Sequence, residues 1–147
     1  MPPADATPEL VGLDHVQLGM PAGQEDAARR FYGEVLGLAE VPKPPALAVR
    51  GGCWFVDRAG VTHVHLGAER DFRPATRAHP AFVVRRLHSL RARLISNGSE
   101  VTDDDAIPGV RRFYASDPFG NRLEFVAEPD RGFTQPTGSP SAERPKA

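Results

Sequence analysis

Cysteine is almost missing from this chain: among 147 residues only Cys53 carries a thiol. An intramolecular disulfide is excluded, and the usage fits a reducing compartment. Net charge is almost missing too, at −1, so bulk charge points to neither nucleic acid nor a membrane surface as partner. Lysine is scarce: Lys43 and Lys146 stand alone among 18 basic residues. The arginines are scattered, as on a solvated surface, rather than gathered in a tract. No run of about 18 apolar residues occurs, which excludes a transmembrane helix. Met1-Pro2-Pro3-Ala4-Asp5 lacks the basic start and apolar core of a signal peptide, so the expected location is cytoplasmic. A 40% hydrophobic and 25% charged composition is that of a soluble globular protein. The length suits one domain, or two small modules sharing a core.

What is present is a repeated order of elements. Residues 1–9 are Pro-rich and polar, and read as a flexible arm. Leu10 to Met20 reads as a strand, with His15, Gln17 and Gly19 on one face and Val16, Leu18 and Met20 on the other. From Gln24 to Leu36 apolar residues recur at helical spacing, and Gly37 sits where a helix ends in a left-handed cap. Residues 39–50, with three prolines, read as a loop or edge strand. Cys53 to Val56 and Val61 to Gly67 read as strands. After a polar linker the order returns: a strand over His79 to Val84, a helix from Arg86 to Asn97 with Leu87, Leu90, Leu94 and Ile95 on one face, a short strand at Glu100 to Thr102, and an acidic loop from Asp103 to Gly109. The round closes on a hairpin from Arg111 to Val126. Its turn is set by Asp117-Pro118, since proline fixes its own φ, and by Gly120-Asn121, since both tolerate positive φ. Residues 128–147 are rich in Pro, Gly and Ser and read as a disordered tail. The single domain expected over residues 10–127 therefore divides into module one, about 10–70, and module two, about 78–127. Each is too small to be comfortably stable alone.

The repeat places four metal-competent side chains at two pairs of matching positions. His15 and His79 sit on or at the start of the first strand of each copy, 64 positions apart. His65 and Glu124 sit on the last strands, 59 positions apart. A pseudo-twofold axis relating the copies would bring all four to one concave sheet face. Imidazole and carboxylate suit Zn(II), Ni(II), Mn(II), Co(II) or Fe(II). His63 shares a face with His65 and is the alternative inward residue. His79 could instead be a polar strand-edge residue ahead of Pro80, and Glu124 a solvent-exposed carboxylate. Arg112 and Tyr114, on the strand before the turn, are candidates for contact with an anionic substrate. Trp54, Phe55, Phe82 and Phe113 could line a pocket or pack in the core.

These residues resemble the vicinal oxygen chelate superfamily, the glyoxalase/bleomycin-resistance/dioxygenase group. The carriers are Leu13-Asp14-His15-Val16-Gln17-Leu18, the helix Ala28 to Leu38, His65-Leu66-Gly67, His79-Pro80-Ala81-Phe82 and Asp117-Pro118-Phe119-Gly120-Asn121-Arg122-Leu123-Glu124. The resemblance implies an α+β fold of two βαβββ modules, curled into a cup-shaped mixed sheet with flanking helices around one divalent metal. It implies His15, His79 and Glu124 as ligands, with His65 where glyoxalase I carries a further ligand, usually Glu. It also implies a homodimer, and a role for Glu124 as both ligand and proton shuttle. The implied activity is a metal-dependent lyase or isomerase, or a ring-cleaving dioxygenase, on a small substrate that chelates the metal through neighbouring oxygens. Trp54, Arg112 and Tyr114 are its expected substrate contacts. The alternative is a non-catalytic drug- or metabolite-binding protein of the bleomycin-binding type.

Overall fold

The computed structural model describes residues 7–129. Of the expected arm and tail, only residues 7–9 and 128–129 fall within it. Two four-stranded mixed sheets form. The first contains β1 (Val16–Pro21), β2 (Ala39–Val41), β3 (Cys53–Val56) and β4 (His63–Glu69), in the order β1-β4-β3-β2. The second contains β5 (Ala81–Val84), β6 (Val101–Asp104), β7 (Arg112–Ser116) and β8 (Arg122–Ala127), in the order β5-β8-β7-β6. In each sheet the first strand runs parallel to the last, and the other pairs are antiparallel. A helix links the first two strands of each copy, as a parallel return demands a crossover. The architecture is α+β, built from two βαβββ modules.

Strand register ties the two copies together residue by residue. Gln17 pairs with His65, and His65 with Trp54. In the second sheet Ala81 pairs with Glu124, and Glu124 with Tyr114. His65 and Glu124 therefore hold matching positions, as do Trp54 and Tyr114. His15 and His79 each stand two residues ahead of the first-strand member of these pairs.

Alternation along the strands sends one face of each sheet inward. Leu18, Met20, Cys53, Phe55, Val64 and Leu66 bury from the first sheet; Phe113, Ala115, Leu123 and Phe125 bury from the second. The two sets belong to one hydrophobic cluster, which helix residues complete. The first helix begins as α1 (Glu25–Ala28) and widens into a π-helical stretch over Arg29–Val35, where the Leu36 amide reaches back to the Phe31 carbonyl. Ala28, Phe31, Tyr32 and Val35 are its buried residues. Gly37 ends it at φ 78°, the left-handed conformation that favours glycine.

Several element limits differ from the sequence reading. β1 begins at Val16, not Leu10, because β4 begins only at His63 and offers residues 10–14 no partner; Leu10, Val11 and Leu13 lie exposed. A one-turn helix, α2 (Pro45–Ala48), interrupts the expected loop, with proline in its first turn. β5 begins after Pro80, which has no amide hydrogen to donate, although its carbonyl still accepts from the Glu124 amide. Asp103 and Asp104 belong to β6 rather than to a loop. On α3 (Leu87–Ser96), Leu90 and Leu94 bury while Ile95 stays 48% exposed, because adjacent helical residues point about 100° apart. In the β7–β8 turn Gly120 takes φ 90°, but Asn121 does not have positive φ.

Asn121 serves a different purpose. Asp117 and Asn121 are both buried and form the centre of a polar network. Asp117 Oδ1 accepts from the Phe119 and Asn121 amides, each at 2.9 Å. Its Oδ2 accepts from the Tyr32 hydroxyl at 2.7 Å and from Asn121 Nδ2 at 2.9 Å. Asn121 Nδ2 also donates to the Gly19 carbonyl on β1, and Asn121 Oδ1 accepts from the Ala75 amide in the linker. Burial and the adjacent Asp117 push the Tyr32 phenol well above its ordinary value, so it stays protonated and donates. The turn of module two is thus bonded to the helix and first strand of module one.

Removing Asp117 would strand several buried donors at once. Asp117→Ala is expected to cost about 3–4 kcal/mol, and Tyr32→Phe about 1 kcal/mol. Denaturant unfolding checks both, and equal losses in the two variants would refute the network's ranking. Burial also pushes the Cys53 thiol up to about 11. At pH 8 the folded protein should then react with a thiol reagent far more slowly than the denatured chain.

Candidate functional site

The faces turned away from the core carry the sequence-predicted site residues. On the first sheet three rings stack: His15 on His65 with centroids 4.1 Å apart, and His65 on Trp54 at 4.0 Å and 7°. His65 is 8% exposed between them. Its burial, followed by the neighbouring His15 and His63, holds its imidazole below the ordinary histidine value, in the neutral form. Asp14 Oδ1 accepts from His15 Nδ1 at 2.7 Å, which turns Nε2 to the opposite side of the ring. His63 Nε2 is 3.2 Å from the Gly60 carbonyl, so His63 is tied to the β3–β4 turn.

On the second sheet the face is charged. β8 presents Arg122 and Glu124, β7 presents Arg112 and Tyr114, and β6 presents Asp104. Glu124 Oε2 lies 3.0 Å from His79 Nε2, and Oε1 accepts from Arg112 at 2.8 Å. Burial pushes the Glu124 carboxyl upward, but the bonds from His79 and Arg112 outweigh it and hold it below the ordinary glutamate value. The carboxylate is ionised at neutral pH. Arg112 also donates to Asp104 at 3.1 Å, and its buried Nε has no hydrogen-bond partner among the described residues.

The four sequence-predicted ligands therefore meet as two pairs, His15 with His65 and His79 with Glu124, one on each sheet. Among the described residues of one chain, no three His, Cys, Asp or Glu side chains gather closely enough to hold a metal ion. The sheets' free edges, β1 and β5, flank a cleft of about 930 Å³ whose lining includes His15 and His79. Of the aromatic candidates, Phe55 and Phe113 are core residues, Phe82 lines the cleft, and Trp54 covers His65. Tyr114 is ringed by cations and imidazole: His79 meets it edge-on at 5.4 Å, and Arg112 and Arg122 lie over it at 5.7 and 3.9 Å.

Sequence reasoning passed over Asp14, Asp104 and Arg122. Asp14 adjoins His15, and Arg122 stands two residues from Glu124 on the same strand, so adjacency and alternation could have marked both. Asp104 required the β6–β7 register.

His79 supplies the test for a metal. A neutral imidazole has one N–H, yet each nitrogen of His79 faces an acceptor. Nδ1 is 2.8 Å from the Arg77 carbonyl and Nε2 is 3.0 Å from the Glu124 carboxylate. Whichever nitrogen carries the single proton, the other turns a lone pair toward an oxygen. A second proton or a cation reconciles these two atoms, and imidazole nitrogen with carboxylate oxygen is the donor set of a divalent transition metal.

Comparison with known proteins shows the family and the fold. A family model described as a glyoxalase-like domain matches residues 17–126. A glyoxalase-family protein of Bacillus anthracis is 50% identical, with 84% of this chain and 99% of that one covered and a TM-score of 0.78. The fosfomycin resistance protein FosX of Listeria monocytogenes shares 18% identity at a TM-score of 0.64, covering 81% of this chain and 94% of its own. An antibiotic-binding protein from Streptomyces sp. CB03234 shares 21% at 0.61, covering 80% and 98%. The last two are likenesses of fold. None of the curated proteins compared with the chain matches it.

Proposed function

The chain belongs to the glyoxalase-like family of the glyoxalase/bleomycin resistance/dioxygenase superfamily, and we propose that it is a divalent-metal-dependent enzyme of the glyoxalase/dioxygenase type. Its substrate would be a small molecule that chelates the metal through neighbouring oxygens. The observation that carries this reading is His79, aimed by the Arg77 carbonyl so that Nε2 meets the ionised Glu124 carboxylate.

His79 and Glu124 would hold the ion from one sheet. His15, oriented by Asp14, and His65 would hold it from the other. Arg112 keeps Oε1 of Glu124 engaged, which leaves Oε2 on the side of His79. A carboxylate fixed in this way can also take a proton from a substrate carbon or oxygen beside it and return it. A divalent ion, when bound, supplies Lewis acidity to the oxygens it coordinates.

The two donor pairs stand on separate sheets, and each sheet ends in a free strand, β1 or β5. A free edge offers unpaired backbone groups, and exposed apolar side chains, Leu13 and Val83 among them, lie beside these two edges. We infer a homodimer in which β1 of one copy meets β5 of the other, twice over by symmetry. Each site then takes His15 and His65 from one chain, and His79 and Glu124 from its partner. The dimer would be a soluble small-molecule enzyme of the cytoplasm.

Elemental analysis of protein purified without chelators tests the metal. About one divalent ion per chain is expected, with loss in His79→Ala and Glu124→Ala. Absence of metal after dialysis against Zn(II), Ni(II), Mn(II), Co(II) and anaerobic Fe(II) would overturn the reading. Co-expression of His15→Ala with Glu124→Ala tests the sharing. The isolated mixed dimer should regain one intact ligand set of its two, and no recovery would assign all ligands to one chain.

A further inference from the structure

The charges on the second sheet's face do not balance pair by pair. Asp104 and Glu124 both bond to Arg112, and Glu124 bonds also to His79. Arg122 is left over. Its guanidinium carbon lies 3.9 Å from the centroid of the Tyr114 ring, and its side chain forms no ion pair among the described residues. It is half-buried, not a freely solvated surface arginine.

The placement is specific. Arg122 and Glu124 are alternate residues of β8 and share a face, about 7 Å apart along the strand. The Arg122 amide is pinned to the Ala75 carbonyl at 2.9 Å, so the start of β8 is fixed by the linker. Tyr114 covers one face of the guanidinium. Stacking of this kind holds an arginine in place and leaves the N–H groups at its edge free for a planar two-oxygen acceptor. A divalent ion at Glu124 and His79 would raise the face from near neutrality to a net charge of about +2, counting Arg112 and Arg122 against Asp104 and Glu124.

We propose that Arg122, carried on Tyr114, is the anion-recognition group of this site, and that the substrate is a compact molecule bearing a carboxylate, phosphate or phosphonate a few bonds from its metal-chelating oxygens. Arg112 is not that group, since its two terminal nitrogens bond Glu124 and Asp104 and its remaining Nε is buried. The inference rests on the metal reading only for the chelating end of the substrate; the anion subsite is built from Arg122 and Tyr114 alone.

The experiment is titration of the full-length protein with inorganic phosphate and with acetate, by calorimetry at constant ionic strength, in metal-loaded and chelator-treated forms. Arg122→Met retains the side chain's apolar reach over Tyr114 and removes the charge. It should weaken phosphate binding at least ~10-fold in both forms, while metal content and melting temperature match the wild type. Arg122→Lys should recover part of the affinity as a point charge without the planar fork. Phosphate affinity unchanged in Arg122→Met, or wild-type binding of phosphate no stronger than of chloride, would overturn the proposal. If the wild type takes up no metal yet its phosphate affinity depends on Arg122, the metal reading fails and the anion site stands. If metal binds and phosphate ignores Arg122, the reverse holds.

Discussion

Asp117 is the constraint on which the rest of the structure depends. Its two oxygens accept four hydrogen bonds, and between them they fix the β7–β8 turn, orient Asn121 and receive the Tyr32 hydroxyl from the other module. Asn121 extends the same network to the Gly19 carbonyl on β1. Two modules of this size are each marginal alone, and the shared cluster that runs from Tyr32 and Phe55 to Phe113 and Phe125 needs their relative position set. Apolar packing is non-directional. Geometry of this precision comes from hydrogen bonds that are costly to leave unmade in the interior.

That latch joins the modules through the core side, at the turn of one and the helix of the other. The opposite faces of the sheets, and the outer edges of β1 and β5, remain free for other work. His15, His65, His79 and Glu124 are all held on or beside those faces by strand register, not by contact between modules. The arrangement separates what stabilises the chain from what the proposed site uses. A substitution at Arg122 or Glu124 alters charges on the outer sheet face, whereas one at Asp117 alters the joint.

Much of this was legible in the sequence because two periodicities carry it. Alternation along the strands identified which of Leu123, Glu124 and Phe125 turns away from the core. The repeat offsets of 64 and 59 residues are the offsets that the strand register reproduces between His15 and His79 and between His65 and Glu124. What stayed hidden depends on tertiary distance. Asp117 and Asn121 read as turn residues, since nothing local says that their side chains reach Tyr32 and Gly19, 85 and 102 positions away. Apolar Leu10, Val11 and Leu13 read as strand, but a strand needs a neighbour and β4 does not extend that far. The pairing of Arg112 with Asp104 appears only once β6 is laid beside β7.

The two copies agree in backbone and differ in chemistry, and the difference is informative. At matching positions the first sheet carries His65 against Trp54, and the second carries Glu124 against Tyr114. One face is a stack of three rings; the other is a network of carboxylates, guanidinium groups and a single phenol. Under the proposed function, imidazoles would bring nitrogen donors to a cation without adding anionic charge, and Glu124 would be the one anionic donor of the set. Three histidines and one glutamate would leave a divalent ion with a residual positive charge. Such a centre favours anionic oxygen ligands over neutral ones. On the proposed function, the asymmetry between the copies would give them different tasks, with module one contributing donors and an aromatic wall, and module two contributing the charge that aligns what binds.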